Sequence, residues 1–99
     1  MVLQAALQPA GAGYGVRVGF TASRKVGNAV VRNRAKRRLR AAAAQVLSNR
    51  GKSGMDYVLI ARGTTAERPF AALLADLELA LHRVEPSVPR SRPRTAEQE

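Results

Sequence analysis

VRVGFTASRKVGNAVVRNRAKRRLRAAAAQVLS, residues 16–48, holds two hydrophobic periods in succession, and the switch between them decides the fold. Over residues 16–23 the alternation is two-residue. Val16, Val18, Phe20 and Ala22 face one way and Arg17, Gly19, Thr21 and Ser23 the other, which predicts a half-buried strand with a small, polar second face. Gly27-Asn28 then breaks the pattern, and Asn28 is a suitable N-cap. From there to about residue 48, Val31, Ala35, Leu39, Ala42, Ala43 and Val46 recur at three- and four-residue spacing. That is the stripe of a helix docked on one side. The four alanines 41–44 have the highest helix propensity available.

Working outward, residues 2–7 alternate as a short strand, with Leu3, Ala5 and Leu7 on one face and Val2, Gln4 and Ala6 on the other. Pro9, Gly11, Gly13 and Gly15 follow as a turn or loop, and the two strands are expected to form an antiparallel pair. Beyond the helix, Asn49, Gly51 and Gly54 end it. Residues 57–62 are apolar on both faces at Val58, Leu59 and Ile60, so this third strand is expected inside the sheet. Pro69 suits a first helical turn, and Phe70, Leu73, Leu74, Leu77 and Leu81 make a second amphipathic helix. The expected order is ββαβα: an α+β domain over residues 1–85, with a small sheet of three or four strands and two packed helices. Residues 86–99, with Pro86, Pro89 and Pro93 among Ser and Arg, are expected to be a disordered tail.

Charge concentrates on the same central stretch. The 99 residues carry 17 Lys+Arg against 7 Asp+Glu, a formal net charge of +10. Eleven of the basic residues lie between Arg17 and Lys52, where there is no Asp or Glu at all. Six of them fall in the nine residues Arg32-Asn33-Arg34-Ala35-Lys36-Arg37-Arg38-Leu39-Arg40. Arg32 and Lys36 lie on one flank of the apolar stripe, Arg34 and Arg38 on the other, and Arg37 and Arg40 on the back.

A merely solvated helix face accounts poorly for this pattern. Cations in the first turns oppose the helix dipole, and the pairs Arg32/Lys36, Arg34/Arg38 and Lys36/Arg40 repel at i, i+4 with no carboxylate to relieve them. A phosphate backbone would neutralise them, and a guanidinium suits bidentate phosphate contact. The pattern therefore points to nucleic acid, without separating RNA from DNA. Nuclear-targeting and membrane-surface patches are the lesser readings of such a cluster.

The same residues resemble a known family. Val18-Gly19-Phe20-Thr21-Ala22-Ser23-Arg24-Lys25-Val26-Gly27-Asn28-Ala29-Val30-Val31-Arg32-Asn33-Arg34, with Lys36-Arg37-Arg38-Leu39-Arg40, is similar to the protein subunit of bacterial ribonuclease P, and Asp56-Tyr57-Val58-Leu59-Ile60-Ala61-Arg62 resembles that family's next strand. The resemblance runs from about residue 2 to 84. It implies a cytoplasmic accessory subunit of a tRNA-processing endoribonuclease, in which an RNA subunit removes the 5′ leader from precursor tRNA. Its implied partners are that RNA and precursor tRNA, with no membrane and no obvious protein partner. Magnesium is expected for the RNA–protein holoenzyme and no cofactor for the protein itself. The resemblance also implies a left-handed βαβ crossover, against the general right-handed preference. Carried over by position, Arg24, Lys25, Arg32, Asn33, Arg34, Lys36, Arg37 and Arg40 would contact RNA, and Arg38 joins them on the same helix. Val2, Gln4, Arg17, Gly19 and Thr21 would lie near the leader cleft.

Two departures stand out. Family members usually begin with a basic, aromatic-bearing helix, whereas this chain opens at the first strand; either the amino terminus is truncated or leader binding is weaker here, and truncation is the preferred expectation because the missing helix should leave apolar sheet surface uncovered. The position of Gln4 is often aromatic, so a stacking contact is missing there.

The residues also argue against catalysis by the chain itself. There is no cysteine, so disulfides, thiolate metal sites and a thiol nucleophile are excluded. His82 is the only histidine, and Asp76 and Glu78 point to different sides of a helix. Gly51-Lys52-Ser53 lacks the spacing of a phosphate loop. No catalytic or metal-binding residue is expected, no apolar run is long enough to span a bilayer, and the amino terminus lacks a secretory pattern. The rival readings are a basic ribosomal-type RNA-binding module with no enzymatic context, and a helix-turn-helix DNA reader. The second would need a helix where residues 16–23 alternate as a strand.

Overall fold

The structure, a computed structural model, describes residues 1–9, 15–84 and 94–97. The elements are β1 (Val2–Leu7), β2 (Arg17–Thr21), a single 3-10 turn (Arg24–Val26), α1 (Ala29–Arg50), β3 (Met55–Ile60), α2 (Phe70–Val84) and β4 (Arg94–Glu97). They build one four-stranded sheet in the order β2-β3-β1-β4, with both helices against one face.

β3 takes the interior position its two apolar faces predicted. It pairs in parallel with β2, Val18 beside Tyr57 and Phe20 beside Leu59, and antiparallel with β1, Leu3 beside Leu59 and Ala5 beside Tyr57. This corrects the expected β1–β2 hairpin. The two strands do run in opposite directions, but they stand two strand spacings apart, roughly 10 Å, with β3 between them. A doubly apolar strand gains most where both of its edges are hydrogen-bonded. Just beyond β1, the Gln8 side chain donates from Nε2 to the Gly15 carbonyl at 2.9 Å and the Met55 carbonyl at 3.1 Å.

The expected disordered tail also needs correction. Residues 94–97 form β4, antiparallel to β1, with Ala96 opposite Leu3 and 5% exposed. The free edge of β1 offers unpaired backbone groups, and an alanine small enough to fit beneath the helices gives the segment an inward-facing anchor. The remaining tail residues, and Gly11, Gly13 and Tyr14 of the glycine-rich link, lie outside the described residues.

The core fills the space between the sheet and the helices. Leu3, Ala5, Met55, Tyr57 and Leu59 meet Ala35, Leu39, Ala42, Ala43, Val46 and Leu47 of α1 and Leu77, Ala80, Leu81 and Val84 of α2. Phe20 and Phe70 pack half-buried at its margin. Tyr57 is only 2% exposed, and its hydroxyl accepts from the Lys52 amide at 3.1 Å.

The entry to α1 is set by two residues. Gly27 has φ 151°, and a Cβ there would stand 2.9 Å from Val31 Cβ, so a side chain is excluded. Asn28 is the N-cap, with Oδ1 accepting from the Val31 amide at 3.0 Å. The first turn contains no acidic residue, so this cap works alone against the dipole. Asn28→Ala is expected to destabilise the fold by about 1 kcal/mol, lowering the thermal midpoint by roughly 4–8 °C; a melt followed by circular dichroism checks it.

Candidate nucleic-acid interface

Two surfaces remain after the core is filled: the outer face of α1 and the sheet face turned away from the helices. The helix surface follows from the 3.6-residue period. With Ala35, Leu39, Ala42 and Val46 committed to the core, Asn33, Arg34, Arg37 and Arg40 are exposed and Arg32 and Lys36 half-buried. Val30, Asn33, Lys36, Arg37 and Arg40 line a groove of about 560 Å³, with Val30 75% exposed at its amino-terminal end. The Arg40 guanidinium carbon sits 5.2 Å from the centre of the Phe20 ring. That cation–π contact holds one cation of the groove against β2. Arg24 and Lys25 are exposed on the 3-10 turn leading into α1.

α1 itself contains no Asp or Glu. Arg34 Nη1 stands 4.0 Å from Glu67 Oε1 with both side chains mostly exposed, an arrangement that adds little stability. The helix therefore carries its cations into solvent with almost no internal compensation, next to the amino-terminal end of its own dipole. A polyanion lying along the groove would neutralise both.

Arg38 behaves differently from its neighbours. Its Nη1 donates to the Thr65 carbonyl at 2.6 Å and its Nη2 to the Arg68 carbonyl, so the side chain braces the loop between β3 and α2 rather than standing in the groove. Arg32 has its Nε buried with no hydrogen-bond partner among the described residues. Asp76, half of the weak carboxylate pair considered from the sequence, is buried and bound to Arg68 through Nε–Oδ2 at 2.6 Å and Nη2–Oδ1 at 3.2 Å. His82 is exposed near the end of α2.

The sheet surface collects the expected cleft residues by register. Val2 opposes Ile60, Gln4 opposes Val58, Gly19 flanks Val58 and Thr21 flanks Ile60, so all lie on the face away from the helices. Gln4, Gly19, Val58 and Ile60 are half-buried and Thr21 exposed, but Val2 is buried. Arg17 is not a lone cation there. Across the β2–β3 pair its Nε and Nη2 each bond one oxygen of Asp56 at 2.8 Å. The Arg17 hydrogen bond holds the Asp56 carboxyl below its ordinary range. The sequence pattern did not single out Asp56, because facing Arg17 requires the parallel β2–β3 register, which alternation along either strand does not encode.

The profile of the ribonuclease P family matches residues 1–85. The chain belongs to that family. The ribonuclease P protein component of Ruegeria pomeroyi is 59% identical over 85 residues, covering 85% of this chain and 68% of that protein. Its counterpart in Paramagnetospirillum magneticum is 59% identical over 69 residues, covering 70% of this chain and 52% of the relative. The Caulobacter vibrioides protein is 59% identical over 66 residues, covering 67% and 44%. The solved structure of the Staphylococcus aureus RNase P protein superposes with a TM-score of 0.66 at 25% identity, covering 84% of this chain and 72% of that one. This member of the ribonuclease P family thus spans about two thirds of one curated relative and about half or less of the other two. Among its described residues no helix is long and apolar enough to cross a membrane.

Proposed function

We propose that the chain is the RNA-binding protein component of a ribonuclease P, assisting a catalytic RNA subunit in the endonucleolytic removal of 5′ leaders from precursor tRNA in the cytoplasm. The observation that carries this reading is the outer face of α1, where Lys36, Arg37 and Arg40 surround one groove on a helix without a carboxylate. Membership of the family supports the choice of partner. In this reading Arg24, Lys25, Arg32, Asn33, Arg34, Lys36, Arg37 and Arg40 bind the RNA subunit. Arg38 supports them from behind by fixing the loop. The open sheet face receives the single-stranded leader. The chemistry and its magnesium belong to the RNA–protein assembly.

The test is reconstitution. The refolded chain added to the RNA subunit is expected to raise precursor-tRNA cleavage at low magnesium, where the RNA alone is slow. An RNA subunit bound without any gain in cleavage would favour the plain RNA-binding module instead.

A further inference from the structure

We propose that the outer edge of β1 is a strand-docking surface, that residues 94–97 occupy it as a guard, and that a second copy of this chain pairs there when the guard is withdrawn.

β1 has none of the devices that keep a sheet edge from pairing with another chain. Its residues Val2-Leu3-Gln4-Ala5-Ala6-Leu7 include no charge, proline or glycine, and they face β3 one to one from Val2–Ile60 to Leu7–Met55, without a bulge. β4 has what β1 lacks. Its four residues include Arg94 and Glu97, a charge of each sign, and the residue before it, Pro93, has no amide to donate. Docking β4 on β1 therefore replaces an unprotected edge with a short, charged one. The opposite edge strand, β2, already carries Arg17.

The guard is lightly held. It pairs only with Val2–Ala5, leaving Ala6 and Leu7 of β1 unpaired on that side, and Ala96, 5% exposed opposite Leu3, anchors it with a single methyl group. A contact of that size opens far more readily than the core beneath it. β4 also lies beyond residues 1–85, which match the family profile, so the matched domain ends its sheet at β1. The occupant that follows from the sequence of β1 is another β1. Antiparallel pairing about a two-fold axis sets the strand against itself, and an uncharged strand meets no like charge there.

The chain has no cysteine, so an introduced disulfide reports where β4 lies. Gln4 and Thr95 are register partners, and directly opposed antiparallel residues stand within disulfide reach. The full chain with Gln4→Cys and Thr95→Cys is expected to oxidise to a monomer with an internal bond; a bond between two copies, or none, overturns the guard. In sedimentation, wild type is expected to remain a monomer and Ala96→Glu to self-associate as its concentration rises. At concentrations where Ala96→Glu is still monomeric, its β1 amides should exchange roughly 10-fold or more faster than in wild type, while β3 keeps its protection. Ala96→Gly weakens the same anchor without adding charge and should change both readouts less, in the same direction. Ala6→Lys added to Ala96→Glu puts a cation on the β1 edge itself and should return the protein to a monomer. Self-association that survives Ala6→Lys overturns the proposal, as does an Ala96→Glu chain that folds and stays monomeric. Unfolding of both Ala96 variants would make β4 part of the core and overturn it too. None of these readouts involves RNA, so their outcome is independent of the ribonuclease P reading.

Discussion

Replacing Arg34, Arg37 and Arg40 together by alanine weakens binding to the RNA subunit by on the order of 100- to 1000-fold, taking about 1–1.4 kcal/mol for each solvent-exposed arginine contact removed, the ordinary net value of one hydrogen bond. It also reduces the slope of log K against log salt by roughly 2–3, since each neutralised phosphate contributes about 0.7–0.9. These three side chains are exposed on the outer arc of α1, so their removal opens no cavity in the core and relieves i, i+4 repulsion along the helix. The triple variant also gives up the Arg40–Phe20 contact, so thermal stability is expected to stay near wild type while affinity collapses. That opposition is the diagnostic result: a surface kept for folding would lose both together. Binding titrations between 50 mM and 400 mM salt measure the slope, and an unchanged slope would show that the arginines face something other than phosphate. Arg38→Ala is the built-in contrast. Its guanidinium is bonded to the Thr65 and Arg68 carbonyls, so it should lower the melting temperature and leave the slope of the folded protein intact.

The contrast between Arg38 and its neighbours marks how far the sequence could be read. The helix, its cap at Asn28 and its apolar stripe were legible, because local period and capping chemistry determine them. The exposed and buried arcs were legible for the same reason. Arg38 lies only about 20° from Val31 on the helical wheel, close enough to the stripe to be drawn inward, yet its acceptors come from a loop 27 and 30 residues away. No local pattern encodes that partner. Strand order failed similarly. Alternation says which face a residue takes, but not which strand lies beside it, so the interior place of β3 was legible from its two apolar faces and the wrong hairpin was not avoidable. The Arg17–Asp56 pair depended on β2 and β3 being neighbours in parallel register. β4 was hidden because a proline-rich segment reads as tail until the open edge of β1 is known to need a partner.

Asp76→Ala is expected to destabilise the domain by about 2–4 kcal/mol, below the 3–5 kcal/mol typical of a fully buried pair because Arg68 is partly exposed. Asp76 is 6% exposed on α2 and holds Arg68 by two hydrogen bonds, while the Arg68 carbonyl accepts from Arg38 on α1. One carboxylate thus ties α2 to the loop, and the loop to the back of the RNA-binding helix. Without it the Arg68 guanidinium loses both Asp76 hydrogen bonds in a place where water only partly reaches, and this tie between the loop and α2 is gone. For a domain of this size the destabilisation corresponds to a fall of roughly 10–25 °C in melting temperature, a large share of a total stability on the order of 5–15 kcal/mol. A melt within a degree or two of wild type would sink the account. The cost arises from breaking the pair rather than from lacking it, so Arg68→Met combined with Asp76→Leu should recover much of the stability that Asp76→Ala loses. Because the doubly substituted chain keeps Arg34, Arg37 and Arg40 untouched, its salt slope for RNA binding should match wild type, separating the helix's support from its contacts.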